Sequence, residues 1–384
     1  MTPTENQPVS TGAFAAGVAL TVVAVAMYMV EPLYVGALAD HLGWKPAELG
    51  LIVTSEAMAV ILASLAAPFW ICRVNLRSAA IFAIAVTAAG NLASSLLGDL
   101  HAFVIARFLI GLLGAGPAYS LGLHVVARNR DPDRGFGLMV AAQVTYGAVG
   151  LAALPFVIEW GGHIGMLAWI AAVALAGLAL VGRLPDRIGT SSGNATATAK
   201  TPITAYPVLL LAVQIVWYLG LGAIWAFVER IASAMALGPR EIGMALAIGM
   251  VLSLAGSAHA VWTGDRHGSR WQMPLMLVVH GIVFLSFLLQ LTFLEFLLAM
   301  AVFNYTWNLA LPYLLAAISR AEEGGRWTVL IPACQAIGLM IGPWMAGAMA
   351  AGESFAPVIG LALGCSLVSL VLILGAFAVE SGPH

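Results

Sequence analysis

The sequence predicts an all-α membrane protein of twelve transmembrane helices in two pseudo-symmetric six-helix bundles. Three observations carry this expectation. The first is composition: 61% of the 384 residues are hydrophobic and 9% are charged, whereas a soluble domain carries about 25% charged residues. The second is that the apolar residues fall in runs of about 20 to 27, each long enough to cross a hydrocarbon core of about 30 Å as a helix. The third is an internal repeat. Arg-x5-Arg-x8-Gln occurs at Arg128, Arg134 and Gln143 and again, 192 residues on, at Arg320, Arg326 and Gln335. Pro-x-Glu-x-Gly occurs at Pro46–Gly50 and, 193 residues on, at Pro239–Gly243. Two matches at nearly the same offset, half the chain, point to a duplication.

Turns marked by charge or by Pro, Gly and Asn separate the spans. The first, 12–39, carries Tyr28, Glu31 and Tyr34. The second, 46–70, opens on Pro46 with Glu48 in its first turn, where the helix dipole favours an acid, and contains Glu56. The third is 78–98. The fourth, 101–126, holds Arg107, the glycines 111, 114 and 116, and Pro117. The fifth, 136–158, carries Gln143 and Tyr146, and the sixth, 164–182, closes the N-terminal bundle, expected over 1–182. A Gly/Ser/Thr/Ala-rich stretch, 183–204, reads as a flexible cytoplasmic linker. The C-terminal bundle, 205–384, repeats the scheme with spans at 205–228, 240–262, 272–291, 295–319, 327–350 and 355–379. The eighth span opens on Pro239 and Glu241 as the second opens on Pro46 and Glu48.

Twelve of the sixteen Lys and Arg fall in the loops that face inward when both termini are cytoplasmic, which fixes the orientation. Trp44, Trp70, Trp160, Trp262, Trp271 and Trp327 sit near expected helix ends, as interfacial aromatics do. Cys72, Cys334 and Cys365 are scattered and fit neither a disulfide framework nor a metal site. Residues 1–10 lack the basic start of a cleavable signal peptide. His-Glu-x-x-His and Gly-x-Ser-x-Gly are absent, and neither Lys45 nor Lys200 belongs to a Gly-Lys-[Ser/Thr] loop. The expectation is therefore no enzyme, no nucleotide, no metal and no cofactor. With a net charge of −2 and no basic run, no nucleic-acid partner is expected either.

Several motifs resemble those of the major facilitator superfamily, over nearly the whole chain. "TGDRHGSR" (263–270) resembles its G-x-x-x-D-R-x-G-R-R loop, with Asp265, Arg266, Gly268 and Arg270 in place and Val261 at the first Gly. The first-half counterpart, "PFWICRVNLR" (68–77), keeps Arg73 and Arg77 but has Cys72 for Asp and Asn75 for Gly. "ARFLIGLLGAGPA" (106–118) resembles the R-x-x-x-G signature of the fourth helix. "GLMIGPWMAG" (338–347) resembles the G-x-x-x-G-P pattern that antiporters carry in the fifth helix, although here the fifth span reads "GAVGLAALP". "MYMVEPLYVGALADHLGW" (27–44) is similar to the opening of bacterial efflux members, with Glu31 where Gln is common. The resemblance implies secondary transport by alternating access. It also implies a path lined by spans 1, 4, 7 and 10, and gate loops that latch helices on the cytoplasmic side.

Only Glu31, Glu56 and Arg107 are charged residues well inside a span. At about 1.5 Å per residue they lie about 12, 15 and 9 Å below the outer helix ends, in one layer. A charge at a helix centre costs about 2.5–3.5 kcal/mol on the insertion scale, so such residues face cavities, pair, or carry protons. One arginine neutralises one carboxylate; the other, desolvated, is a candidate proton carrier. Which acid plays which part stays open at this point, as does a purely structural ion pair.

The candidate cavity residues are Tyr28 and Tyr34, flanking Glu31 at i−3 and i+3, then Gln143, Tyr146 and Gln335. A stripe of Gln214, Tyr218, Gly222, Trp225 and Glu229 adds to them, with Asn304, Trp307 and Asn308 of "NYTWN". Amides and phenols among aromatic walls suit a small, partly apolar solute. The expectation is a monomeric, multi-pass protein of the inner cell membrane, embedded in the lipid bilayer. It exports a small organic molecule against the proton gradient. The alternative is a proton symporter importing a small, possibly aromatic, acid whose carboxylate Arg107 holds.

Overall fold

The computed structural model describes residues 9–187, 205–263, 269–321, 327, 330–350 and 354–380. All regular elements among them are helical. They are α1 (Thr11–Met29), α2 (Glu31–Leu42), α3 (Pro46–Trp70), α4 (Leu76–Ser94), α5 (Leu100–Ile110), a π turn (Gly111–Ala115), α6 (Gly116–Val126) and α7 (Pro132–Val181). The rest are α8 (Ala205–Ala234), α9 (Pro239–Thr263), α10 (Ser269–Ser286), α11 (Phe293–Arg320), α12 (Ile331–Met349) and α13 (Ala356–Glu380). Ten spans are long and apolar enough to cross a membrane, and Trp271–Ser286 of α10 is a shorter apolar helix. With α7 counted as two passages, the described residues supply twelve crossings. The chain is a multi-pass membrane protein.

Four expected spans take a different shape. The first is two helices, because Val30 leaves the helical region (φ −117°, ψ 17°) and Pro32 has no N–H with which to continue the ladder. The fourth passes through the π turn, closed by the Gly116 N–H donating to the Gly111 carbonyl just ahead of Pro117. The fifth and sixth are joined without a loop: α7 runs for 50 residues and reverses at Gly162 (φ 57°, ψ −148°).

The described residues group into two units, 9–44 with 51–187, and 45–50 with those from 205 onward. In the first, α1 packs on α6 and α7, α2 on α7, and α4 on α5, α6 and α7. Small residues permit these approaches: Ala16 and Leu20 of α1, Ala83 and Ile84 of α4, and Ala171 and Ala174 of α7 share one buried cluster. In the second, α8 packs on α12 and α13, α9 on α11, and α10 on α11 and α13. The internal repeat thus reappears as one scheme of pairing: in each unit the third passage contacts the fourth and the sixth. The linker expected over 183–204 lies, from residue 188 on, outside the described residues.

Gly162 is constrained both in its backbone and in its surroundings. Its φ is one that side chains rarely adopt, and an added Cβ would lie 2.7 Å from the His41 ring. Gly161, next to it, meets nothing within 4 Å. Gly162→Ala is expected to cost about 1–3 kcal/mol, lowering the apparent Tm in detergent, while Gly161→Ala leaves it unchanged.

Candidate functional site

The three intramembrane charges come together in the first unit, with one asymmetry. Arg107, fully buried, donates from Nε (3.0 Å) and from NH2 (2.7 Å) to the same Oε2 of Glu56. Its NH1 donates to Oδ1 of Asn91 at 2.7 Å. The Tyr34 ring covers its face, 5.6 Å from the guanidinium carbon. Glu31, 6% exposed, has no hydrogen bond or ion pair among the described residues. Glu56, with 14% of its side chain exposed, is therefore the partnered carboxylate and Glu31 the unpartnered one.

Local sequence explains each position. Arg107 and Gly111 are one turn apart and share a face. A Cβ at Gly111 would lie 2.7 Å from the Glu56 carbonyl and 2.9 Å from the Ala59 methyl, so the missing side chain lets α3 approach. One turn earlier, Arg107 then meets the Glu56 carboxylate. Ser55 adds a hydroxyl contact to the Val104 carbonyl at 3.5 Å. Glu31 owes its place to the break at Val30, which makes it the first residue of α2. There the dipole of the helix that it begins favours negative charge.

The break also corrects an expectation. Tyr28 belongs to α1 and Glu31 to α2, so the i−3 relation that set them on one face does not hold. Tyr28 is half-buried and Tyr34 buried. The Tyr34 and Tyr146 hydroxyls and Nε2 of Gln143 are buried without a well-formed hydrogen bond.

In the second unit, both amide atoms of Gln214 are buried in the same condition. Tyr218 is buried edge-on between Trp217 (5.5 Å) and Trp307 (5.9 Å). Trp225 is buried, and Gln335 half-buried. Asn304 and Asn308 turn inward on their own helix, donating to the carbonyls of Met300 (3.0 Å) and Asn304 (3.1 Å). His280 is a packed residue: Nδ1 accepts from the Trp217 indole at 3.2 Å, which leaves Nε2–H to donate to the Phe303 carbonyl at 3.3 Å. That pattern suits one neutral tautomer.

The sequence reading placed one group only in part and missed two. α8 continues past the expected end at 228, so Glu229, named there with the cavity stripe, is buried within a helix. Its neighbour Arg230 donates from Nε (2.5 Å) and NH2 (2.9 Å), and Ser233 donates from Oγ (2.9 Å). On the facing sides of α9 and α11, His259 bonds Tyr305 and Thr263 bonds Tyr313. Asn91 is the third, an amide in an otherwise apolar run.

Of the gate-loop residues, Arg73 is exposed and Arg77 donates to the Leu184 carbonyl at 2.9 Å. Asn75, standing where the family motif has Gly, caps α4 by accepting from the Ser78 N–H at 3.0 Å. Asp265, Arg266 and Gly268 lie outside the described residues. Arg270 stands in the first turn of α10. No cluster of potential metal ligands occurs among the described residues.

No protein-family model matches the chain, and no curated protein sequence matches it. Solved structures do. A mutant of the nucleoside transporter NupG superposes with TM-score 0.77 at 12% identity, over 96% of this chain and 99% of that one. The xylose transporter XylE from E. coli, in an inward open conformation, gives 0.73 at 16% identity, over 95% and 94%. A D-xylose-proton symporter gives 0.68 at 16% identity, over 93% and 94%. The fold is that of the major facilitator transporters. In that fold α1 with α2 is the first helix of the twelve, α3 the second and α5 with α6 the fourth, so the charged cluster spans three helices of the N-terminal half.

Removing one partner of a buried ion pair costs about 3–5 kcal/mol, whereas replacing both by apolar residues is often neutral. Arg107→Met and Glu56→Met are each expected to lower the apparent Tm more than the double substitution does, measured by thermal unfolding in one detergent.

Proposed function

We propose that this protein is a proton-coupled secondary transporter of a small organic solute, working by alternating access, with Glu31 as the proton carrier. The observation that carries the reading is the buried Glu31 carboxylate without a partner, on the helix whose Tyr34 covers an arginine already committed to Glu56. Burial penalises the charged form of such a group, and the dipole of the helix that it begins favours it. A group balanced between two such influences is suited to taking up and releasing a proton. The likeness to a nucleoside transporter and to a D-xylose-proton symporter supports solute transport in general and proton coupling in particular.

The buried polar atoms of Tyr34, Gln143 and Tyr146 in the first unit, and of Gln214 in the second, are the proposed hydrogen-bonding groups for the solute. Tyr218, Trp225 and Trp307 supply apolar surface beside them; Tyr28 and Gln335 complete the set. Asn304 and Asn308 each have one amide N–H engaged by their own helix, so their part is through Oδ1 and the second N–H. The two halves, 1–182 and 205–384, are proposed to move against each other, with the gate loops at Arg73, Arg77, Asp265, Arg266, Gly268 and Arg270 latching the inner side. The proton gradient is the only driving force, with no cofactor, in a monomer of the inner membrane whose termini are both cytoplasmic.

Export is the proposed direction. Uptake of an acid held by Arg107 has less support, because the edge of the guanidinium, its NH1 and one face are all occupied. Uptake of a neutral solute with a proton remains the second reading, favoured by the symporter likeness.

In proteoliposomes with an imposed inside-acidic gradient, solute added outside is expected to speed proton loss if the protein is an antiporter, and to slow it if a symporter. Glu31→Gln is expected to abolish both proton movement and the pH dependence of transport while leaving solute binding intact. An unchanged pH profile in that protein rules the reading out. Cys72 is exposed between α3 and α4, and Cys334 and Cys365 are buried. A membrane-impermeant maleimide is therefore expected to label Cys72 only from the cytoplasmic side; labelling from outside inverts the topology.

A further inference from the structure

Asn91 is fully buried on α4, and its amide is tied at both ends. Nδ2 donates to the Thr87 carbonyl at 2.7 Å, one turn back on the same helix. A carbonyl accepts only from the NH2 side of an amide, so this bond orients the group and aims Oδ1 at Arg107. There it accepts from NH1 at 2.7 Å. A guanidinium is a planar fork with donors along its edges. Here the edge formed by Nε and NH2 holds Glu56, the remaining NH1 holds Asn91, and Tyr34 lies over the face. Turning Arg107 toward Glu31 would require breaking its bond to α4.

We propose that Asn91 is a positioning residue that commits the Arg107 charge to Glu56, keeps it from neutralising Glu31, and so sets the pH at which the protein takes up its proton. The inference rests on the transport reading above. The charged and titratable groups that act on this corner are Glu56 from α3, Arg107 from α5, and Tyr34 from the helix of Glu31 itself. α7, which packs on α2, brings the buried Tyr146 hydroxyl, one turn from Gly150, where an added Cβ would meet Val30 at 2.7 Å, and His163 against the His41 ring near the far end of α2. Asn91 is neutral, so its effect is exerted wholly through where Arg107 points.

The test compares pH profiles of solute-driven proton movement in proteoliposomes for the parent protein, Asn91→Leu, Asn91→Asp and Glu31→Gln. Leucine removes the acceptor and releases the guanidinium to share its charge with Glu31. More protons are then needed to fill that carboxylate, and the half-maximal pH moves down by about one unit, tenfold in proton concentration. Aspartate adds a negative charge that draws Arg107 further from Glu31, and the half-maximal pH moves up by a similar amount. Opposite displacements are the expected result, and a residue that merely packs gives no such sign reversal. If both variants keep the parent profile, or move the same way, while Glu31→Gln still abolishes pH dependence, Asn91 is structural and the transport reading stands. If Glu31→Gln keeps its pH dependence, both fall. Should the leucine protein fail to insert, the aspartate protein decides alone: an upward displacement supports the inference and an unmoved profile overturns it.

Discussion

One cation, given to one of two acids, is the constraint on which the candidate site depends. Away from water an ionised side chain has few ways to be satisfied. Arg107 finds three: two bonds to a carboxylate oxygen, one to an amide, and an aromatic face. Satisfying the arginine so fully leaves the second acid without a counterion, and Glu31 is kept there only by its place at a helix start. The backbone features nearby serve the same arrangement. Gly111 admits α3, and the break at Val30 turns an interior residue into a terminal one.

The architecture was legible in the sequence because it is written in composition and periodicity. A bilayer leaves helices as the spanning solution for runs of this length, and the repeated motifs implied two halves with one pairing scheme. That Glu31, Glu56 and Arg107 would meet was legible too, since a charge in a run such as "GLIVTSEAMAVILASL" stands out. How the two acids divide the arginine was not, because that depends on side-chain reach across α3, α4 and α5.

What escaped has physical reasons. Asn91 carries no charge and sits in "AAGNLASS", where an amide reads as one polar residue among small ones. The extension of α8 through Glu229 was hidden because "VER" resembles the charged end of a span. Nothing in the sequence shows that the carboxylate is bound by its own neighbour and by Ser233. The reversal at Gly162 and the π turn before Pro117 are local departures that hydrophobic periodicity does not encode. Gly-Gly at 161–162 and Gly-Pro at 116–117 were their only marks.

The broken first passage couples chemistry to mechanics. α1 is a rod of 19 residues and α2 one of 12, meeting at Val30, and Glu31 is the first residue beyond that joint. Its charge is attracted to the positive end of the rod that it begins. Under the proposed function, a hydrogen ion landing on the carboxylate removes that attraction at the break itself. The proposed switch would then need no wire through the fold, because the acid and the break occupy adjacent residues.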